Sequence, residues 1–135
     1  MRLIKIEGEK MNLRLKSSKS FDKTLEDLQT KVAENSFRVL HVHNVQETLK
    51  EKGFEIENYS IVEVCNAKFA NEVLGTNKEY GVLMPCKINV YSEKGETFLS
   101  MPLPSVMIEK FEMKGVDEVA KNVEEVLTKV MKETI

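Results

Sequence analysis

Apolar and polar positions alternate with period two over several short stretches of the chain and with helical period over several others, which predicts an α+β domain. Arg2 to Glu7 and Met11 to Lys16 alternate on either side of Gly8-Glu9-Lys10 and read as a hairpin at a sheet edge. In its second arm Met11, Leu13 and Leu15 share one face while Asn12, Arg14 and Lys16 share the other. Phe21, Leu25, Leu28 and Val32 then recur at helical spacing, so residues 21 to about 34 form an amphipathic helix, with Ser20 as N-cap and Asn35 as its stop. Phe37 to His43 reads as a strand with Leu40 and Val42 on one face and Phe37, Val39, His41 and His43 on the other. Asn44 and Glu47 have capping-box spacing for a helix from about Val45 to Lys52, ended by Gly53.

Ile61 to Val64 is β-branched and suits a short strand, and it leads through Cys65 into Asn66. Asn66 is a good N-cap, and Ala67, Phe69, Ala70, Val73 and Leu74 give a short helix closed by Gly75. Val82, Met84, Cys86, Ile88 and Val90 alternate with polar neighbours and predict the longest strand, ending at Tyr91. Glu93-Lys94-Gly95 turns the chain into a partner strand over Thr97 to Met101, which Pro102 and Pro104 end. A short helix or irregular cover follows over Ser105 to Glu112, then a long final helix over about 116 to 134 with Val116, Val119, Val123 and Val130 on one stripe.

The chemistry in this pattern centres on Cys65, which the pattern places one residue before a helix begins. Unpaired N–H groups and the positive end of the helix dipole favour an anion there, and a thiolate is one. Cys86, alternating with the apolar set, reads as a core thiol. If helices cover the face bearing Leu40, Val42, Val62, Val64, Met84, Ile88 and Val90, the other face carries His41, His43, Glu63, Cys65, Lys87, Asn89 and Tyr91. Two imidazoles, a carboxylate and a thiol on one face can receive a small ligand or a metal ion, although two histidines at this spacing are also ordinary half-exposed strand residues. A one-residue bulge would invert the assignment of faces.

The motif Val64-Cys65-Asn66 before a short helix, followed by Leu83-Met84-Pro85-Cys86-Lys87-Ile88-Asn89-Val90-Tyr91, closely resembles the domain-of-unknown-function family 302. The resemblance spans about residues 21 to 107 and includes Phe21-Asp22-Lys23-Thr24 and Thr48-Leu49-Lys50-Glu51-Lys52-Gly53. It implies a curved, mainly antiparallel sheet with helices on one face, similar in topology to one repeat of the TATA-binding protein. It implies no activity. The chain departs from the family pattern at Asn35-Ser36-Phe37, where a glycine usually precedes the aromatic residue, and at His41-Val42-His43, where histidines are not typical.

Length and charge narrow the function classes. The 135 residues make one domain with room for a core. A formal net charge of −2 with charges of mixed sign supplies no basic field for nucleic acid. No apolar run approaches the ~18 residues that span a bilayer and the start of the chain lacks a signal-peptide core, so a cytoplasmic protein with free thiols is expected. Phosphate-loop, nucleophile-elbow and zinc-finger spacings do not occur. The residues favour a non-catalytic module that dimerises and binds a small molecule or metal ion, with His41, His43, Glu63, Cys65, Asn66 and Lys87 as candidates and no cofactor or metal assigned. The alternatives are a thiol enzyme or sulfur carrier in which Cys65 is the nucleophile and His41, His43 or Lys87 lowers its pKa, and a purely structural interaction domain.

Overall fold

A computed structural model describes residues 5–6 and 9–135, with side chains from Met11 onward. The elements run β1 (Lys5–Ile6), β2 (Glu9–Lys10), β3 (Asn12–Ser17), α1 (Phe21–Glu34), β4 (Arg38–Asn44), α2 (Val45–Lys50), β5 (Tyr59–Cys65) and α3 (Ala67–Thr76). A 3-10 segment over Lys78–Leu83 follows, then β6 (Cys86–Glu93), β7 (Glu96–Pro102), α4 (Pro104–Lys110) and α5 (Asp117–Thr134). β3 to β7 form an open antiparallel sheet in the order β3-β7-β6-β5-β4. The fold is therefore α+β, as the alternation predicts.

The register explains which face is buried. Val42 lies opposite Val62, Val62 opposite Ile88, Val90 opposite Leu99, and Leu99 and Met101 opposite Leu15 and Leu13. These apolar side chains meet Leu28 and Val32 of α1 and Val119, Val123, Leu127, Val130 and Met131 of α5 in one core. Among the core residues of α1, Thr24 is fully buried, and its hydroxyl is satisfied by the Ser17 hydroxyl at 2.8 Å.

Local chemistry sets the ends of the helices. The side chains of Ser20, Asn44 and Asn66 each accept from the backbone N–H three residues on, in Lys23, Glu47 and Phe69. Lys94 and Gly95 both take positive φ, 53° and 79°, which is the two-residue turn whose twist matches an antiparallel hairpin. The Glu57 carboxylate accepts from both of their N–H groups. Ser36 takes φ 66°, a left-handed conformation between α1 and β4 that favours glycine.

Four expectations need correction. The strand Asn12–Ser17 pairs with β7 and forms one edge of the main sheet, whereas the short pairing near the N-terminus joins Lys5 to Lys10 and Ile6 to Glu9. Arg2 to Ile4, Glu7 and Gly8 lie outside the described residues. The helix after Asn66 passes through Gly75 and stops at Thr76, where the Asn77 N–H bonds back to Val73. A register shift between Val39 and His41 leaves Phe37 and Val39 on the core side and Leu40 49% exposed, while Val42, His41 and His43 keep the faces expected of them. Finally, Val82 and Met84 precede the strand. Asn77 Oδ1 accepts from the Glu79 N–H to start the 3-10 segment, Val82 is 78% exposed, and β6 begins only at Cys86.

Candidate functional site

Two places gather the residues with chemistry. The first is the open face of the sheet. His41 lies opposite Glu63 in the register, Glu63 opposite Lys87, and Asn89 opposite both Ile61 and Ser100. The His41 and His43 rings meet edge to face with centroids 4.3 Å apart, and His43 Nε2 stands 3.1 Å from Glu63 Oε2. The structure thus brings His41, His43, Glu63 and Lys87 onto one face. Among the described residues, however, no group of three histidine, cysteine or acidic side chains is arranged to hold a metal ion. Further along the same face, Tyr59, Tyr91 and Phe98 stack across three strands, and Arg14 covers Phe98 at 3.9 Å while its Nε donates to Tyr91 Oη. Asn89 Nδ2 donates to Tyr59 Oη, and Asn89 Oδ1 is buried without a partner.

Cys65 ends β5 directly before the cap Asn66, whose Nδ2 donates to Ser36 O and ties the start of α3 to the turn after α1. Its partner across the strands is Arg38. Cys86 lies opposite Val64, so alternation puts the two thiols on opposite faces of the sheet. Both are free. Burial pushes the Cys86 thiol up to about 11, with a smaller contribution from neighbouring Cys65. The thiols are close enough to interact electrostatically, but their side chains diverge, which disfavours a bond between them.

The second place lies on the helix side. An apolar cavity of about 280 Å³ opens between the 3-10 segment, α4, α5 and the adjoining ends of β6 and β7. Its inner wall is Met101, Met113, Val116, Val119, Ala120 and Val123, all buried. Met84, Met107 and Cys86 add three further sulfur atoms to the lining. Tyr80 also lines it, but its hydroxyl is engaged: it donates to Lys114 O and accepts from Lys114 N, fastening the 3-10 segment to the turn between α4 and α5. At the other side Glu124 of α5 accepts from the N–H and hydroxyl of Ser105, holding the start of α4 in place. Polar bonds thus anchor the rim of a cavity whose interior is dry in character.

The pairing pattern explains why space remains there. β6 pairs with β7 from Glu93 back to Asn89 and no further, while β5 follows β6 to Cys86 and β3 follows β7 to Pro102. Pro102 has no N–H to offer β6, and Pro104 starts a helix, so the two strands part beyond Asn89 and Ser100, leaving Cys86 to Ile88 and Met101–Pro102 unpaired with each other. Sequence reading missed this cavity. The available signal was a content of seven methionines, four of which line it; methionine is the side chain that adapts best to irregular or variable contents.

No helix among the described residues is long and apolar enough to cross a membrane. No curated protein sequence matches the chain. A crystal structure of uncharacterized conserved protein DUF302 from Bacillus stearothermophilus is similar, at 30% sequence identity, with a TM-score of 0.88 over 93% of this chain and 98% of that one. The family model for Domain of unknown function DUF302 matches residues 13–134, a longer span than the motifs around the two cysteines mark out, and the chain belongs to that family.

Proposed function

We propose that this domain is a non-catalytic module that binds a small apolar molecule, and that the ligand enters the cavity between the 3-10 segment, α4 and α5. The observation that carries this reading is the cavity itself: about 280 Å³ of apolar space beside the core, near the lower end of small-molecule sites. Its methionine lining suits ligands of variable shape. The open sheet face supports the reading less well, because its histidines and Glu63 contact one another and its aromatic side chains are stacked. Thiol catalysis is also less well supported at the cavity, where Cys86 is held protonated and is a weak nucleophile.

Titration with the neutral fluorophore indole, small enough for the cavity and distinguishable in a chain without tryptophan, tests this proposal. One saturable site per chain is expected, retained in Cys65→Ser and lost in Ala120→Leu, which fills the cavity from α5. Absence of saturable binding, or binding unaffected by Ala120→Leu, refutes it.

A further inference from the structure

Resting on the cavity as the binding site, we infer that its ligand is an amphiphilic anion, a chain or ring system of about nine carbons that carries one negatively charged head beside Lys87. The length follows from volume: a chain carbon takes up about the ~30 Å³ share of a liquid water molecule, and the cavity offers about 280 Å³.

The charge follows from the lining. Lys87 is the one charged residue among those that line the cavity, and it is exposed. Of the other polar groups there, the Tyr80 hydroxyl is engaged with Lys114 and the Cys86 thiol is neutral. Lys87 sits at the fork where β6 and β7 part, with exposed Pro102 also on the rim. A head group leaving the apolar interior through that fork would meet the sheet face on which the Lys87 side chain stands.

The ammonium is available to it. Glu63, directly opposite Lys87 on β5, has its carboxylate 3.1 Å from His43, and among the described residues no acidic side chain forms an ion pair with Lys87. An apolar interior with a single cation at its mouth recognises an anion with an apolar body, such as a medium-chain carboxylate.

The test is displacement of indole by decanoate and by decanol at pH 8, in the unaltered protein, in Lys87→Gln and in Lys87→Arg. An exposed ion pair changes affinity by about fivefold. The ratio of decanoate to decanol affinity should therefore fall about fivefold in Lys87→Gln and be kept in Lys87→Arg, with the fluorophore's own affinity unchanged throughout. A ratio that does not move in Lys87→Gln overturns the anionic ligand while leaving the cavity as a site for neutral molecules. Failure of the fluorophore to bind any of the three proteins overturns the cavity reading and this inference together.

Discussion

Leucine at position 120 places three extra carbons in the cavity, and the consequence for stability can be worked out. Ala120 is 6% exposed and lies on the inner stripe of α5 with Val119 and Val123. At ~30 Å³ per carbon the added group fills roughly 90 Å³, about a third of the 280 Å³ present. Cavity volume costs about 24 cal/mol per Å³, so filling that much contributes roughly 2 kcal/mol. Fixing a leucine rotamer takes back ~0.5–1 kcal/mol, which leaves a net gain of about 1 kcal/mol, or roughly 4 °C in Tm. Urea unfolding of the ligand-free protein measures it, with the midpoint rising and the slope unchanged. The same substitution removes binding of the neutral fluorophore. A loss of 1 kcal/mol or more would mean that leucine overpacks the wall, and the reasoning from open space would be wrong.

Three further perturbations probe the surroundings. Because burial raises the Cys86 thiol from 9.0 to about 11, the unfolded chain releases this proton first as pH rises, and stability falls across that interval by roughly 2 to 3 kcal/mol; urea midpoints at pH 8 and 10.5 should differ less in Cys86→Ala than in the unaltered protein, and equal differences would contradict the burial. Ser36→Gly should raise stability by about 0.5 kcal/mol, since glycine accepts φ 66° without the roughly 1–2 kcal/mol penalty of a side chain but gives back part of it through the unfolded chain; thermal melts decide the sign. Hydrogen bonds from Lys19 and then Lys23 hold the Asp27 carboxyl below its ordinary 3.8, so its contribution is present above that pH and disappears as acid protonates it; Asp27→Asn should flatten the acid limb of a pH–stability curve, and an unchanged limb would count against the pairing.

Much of the fold is legible in the residues because local and long-range demands agree. The capping asparagines Asn44 and Asn66 mark the starts of α2 and α3, and the valines of α5 recur on the stripe that faces the core. Legibility ends where tertiary pairing overrides local pattern. Met11 to Lys16 reads as the arm of a hairpin, yet Leu13 and Leu15 find their partners in Met101 and Leu99 at the far end of the chain. Leu40 alternates with Val42 in sequence, but the bulge after Val39 exposes it and leaves Phe37 and Val39 on the core side, a local shift that periodicity does not encode.

The candidate site divides along the same line. Alternation suffices to place His41, His43, Glu63 and Lys87 on one face, because β4 keeps unbroken register with β5 from His41 to Asn44, and β5 with β6 from Cys86 to Tyr91. A cavity is different in kind, since it records what packing leaves unfilled between elements whose mutual placement no local pattern states. Val82 and Met84 illustrate the difference: they alternate as if they belonged to a buried strand, and instead sit on a 3-10 segment and its exit, where they edge the opening. Pro102 and Pro104 read as strand terminators from sequence, and they are. Their larger consequence is that β7 leaves β6 beside Cys86 while remaining paired to β3. Cys86 and Lys87 thereby become neighbours of the same opening although their side chains belong to opposite faces of the sheet. An apolar cavity on one side of a sheet and a lone ammonium on the other act on one ligand only where two strands part, and the parting of β6 from β7 supplies that place.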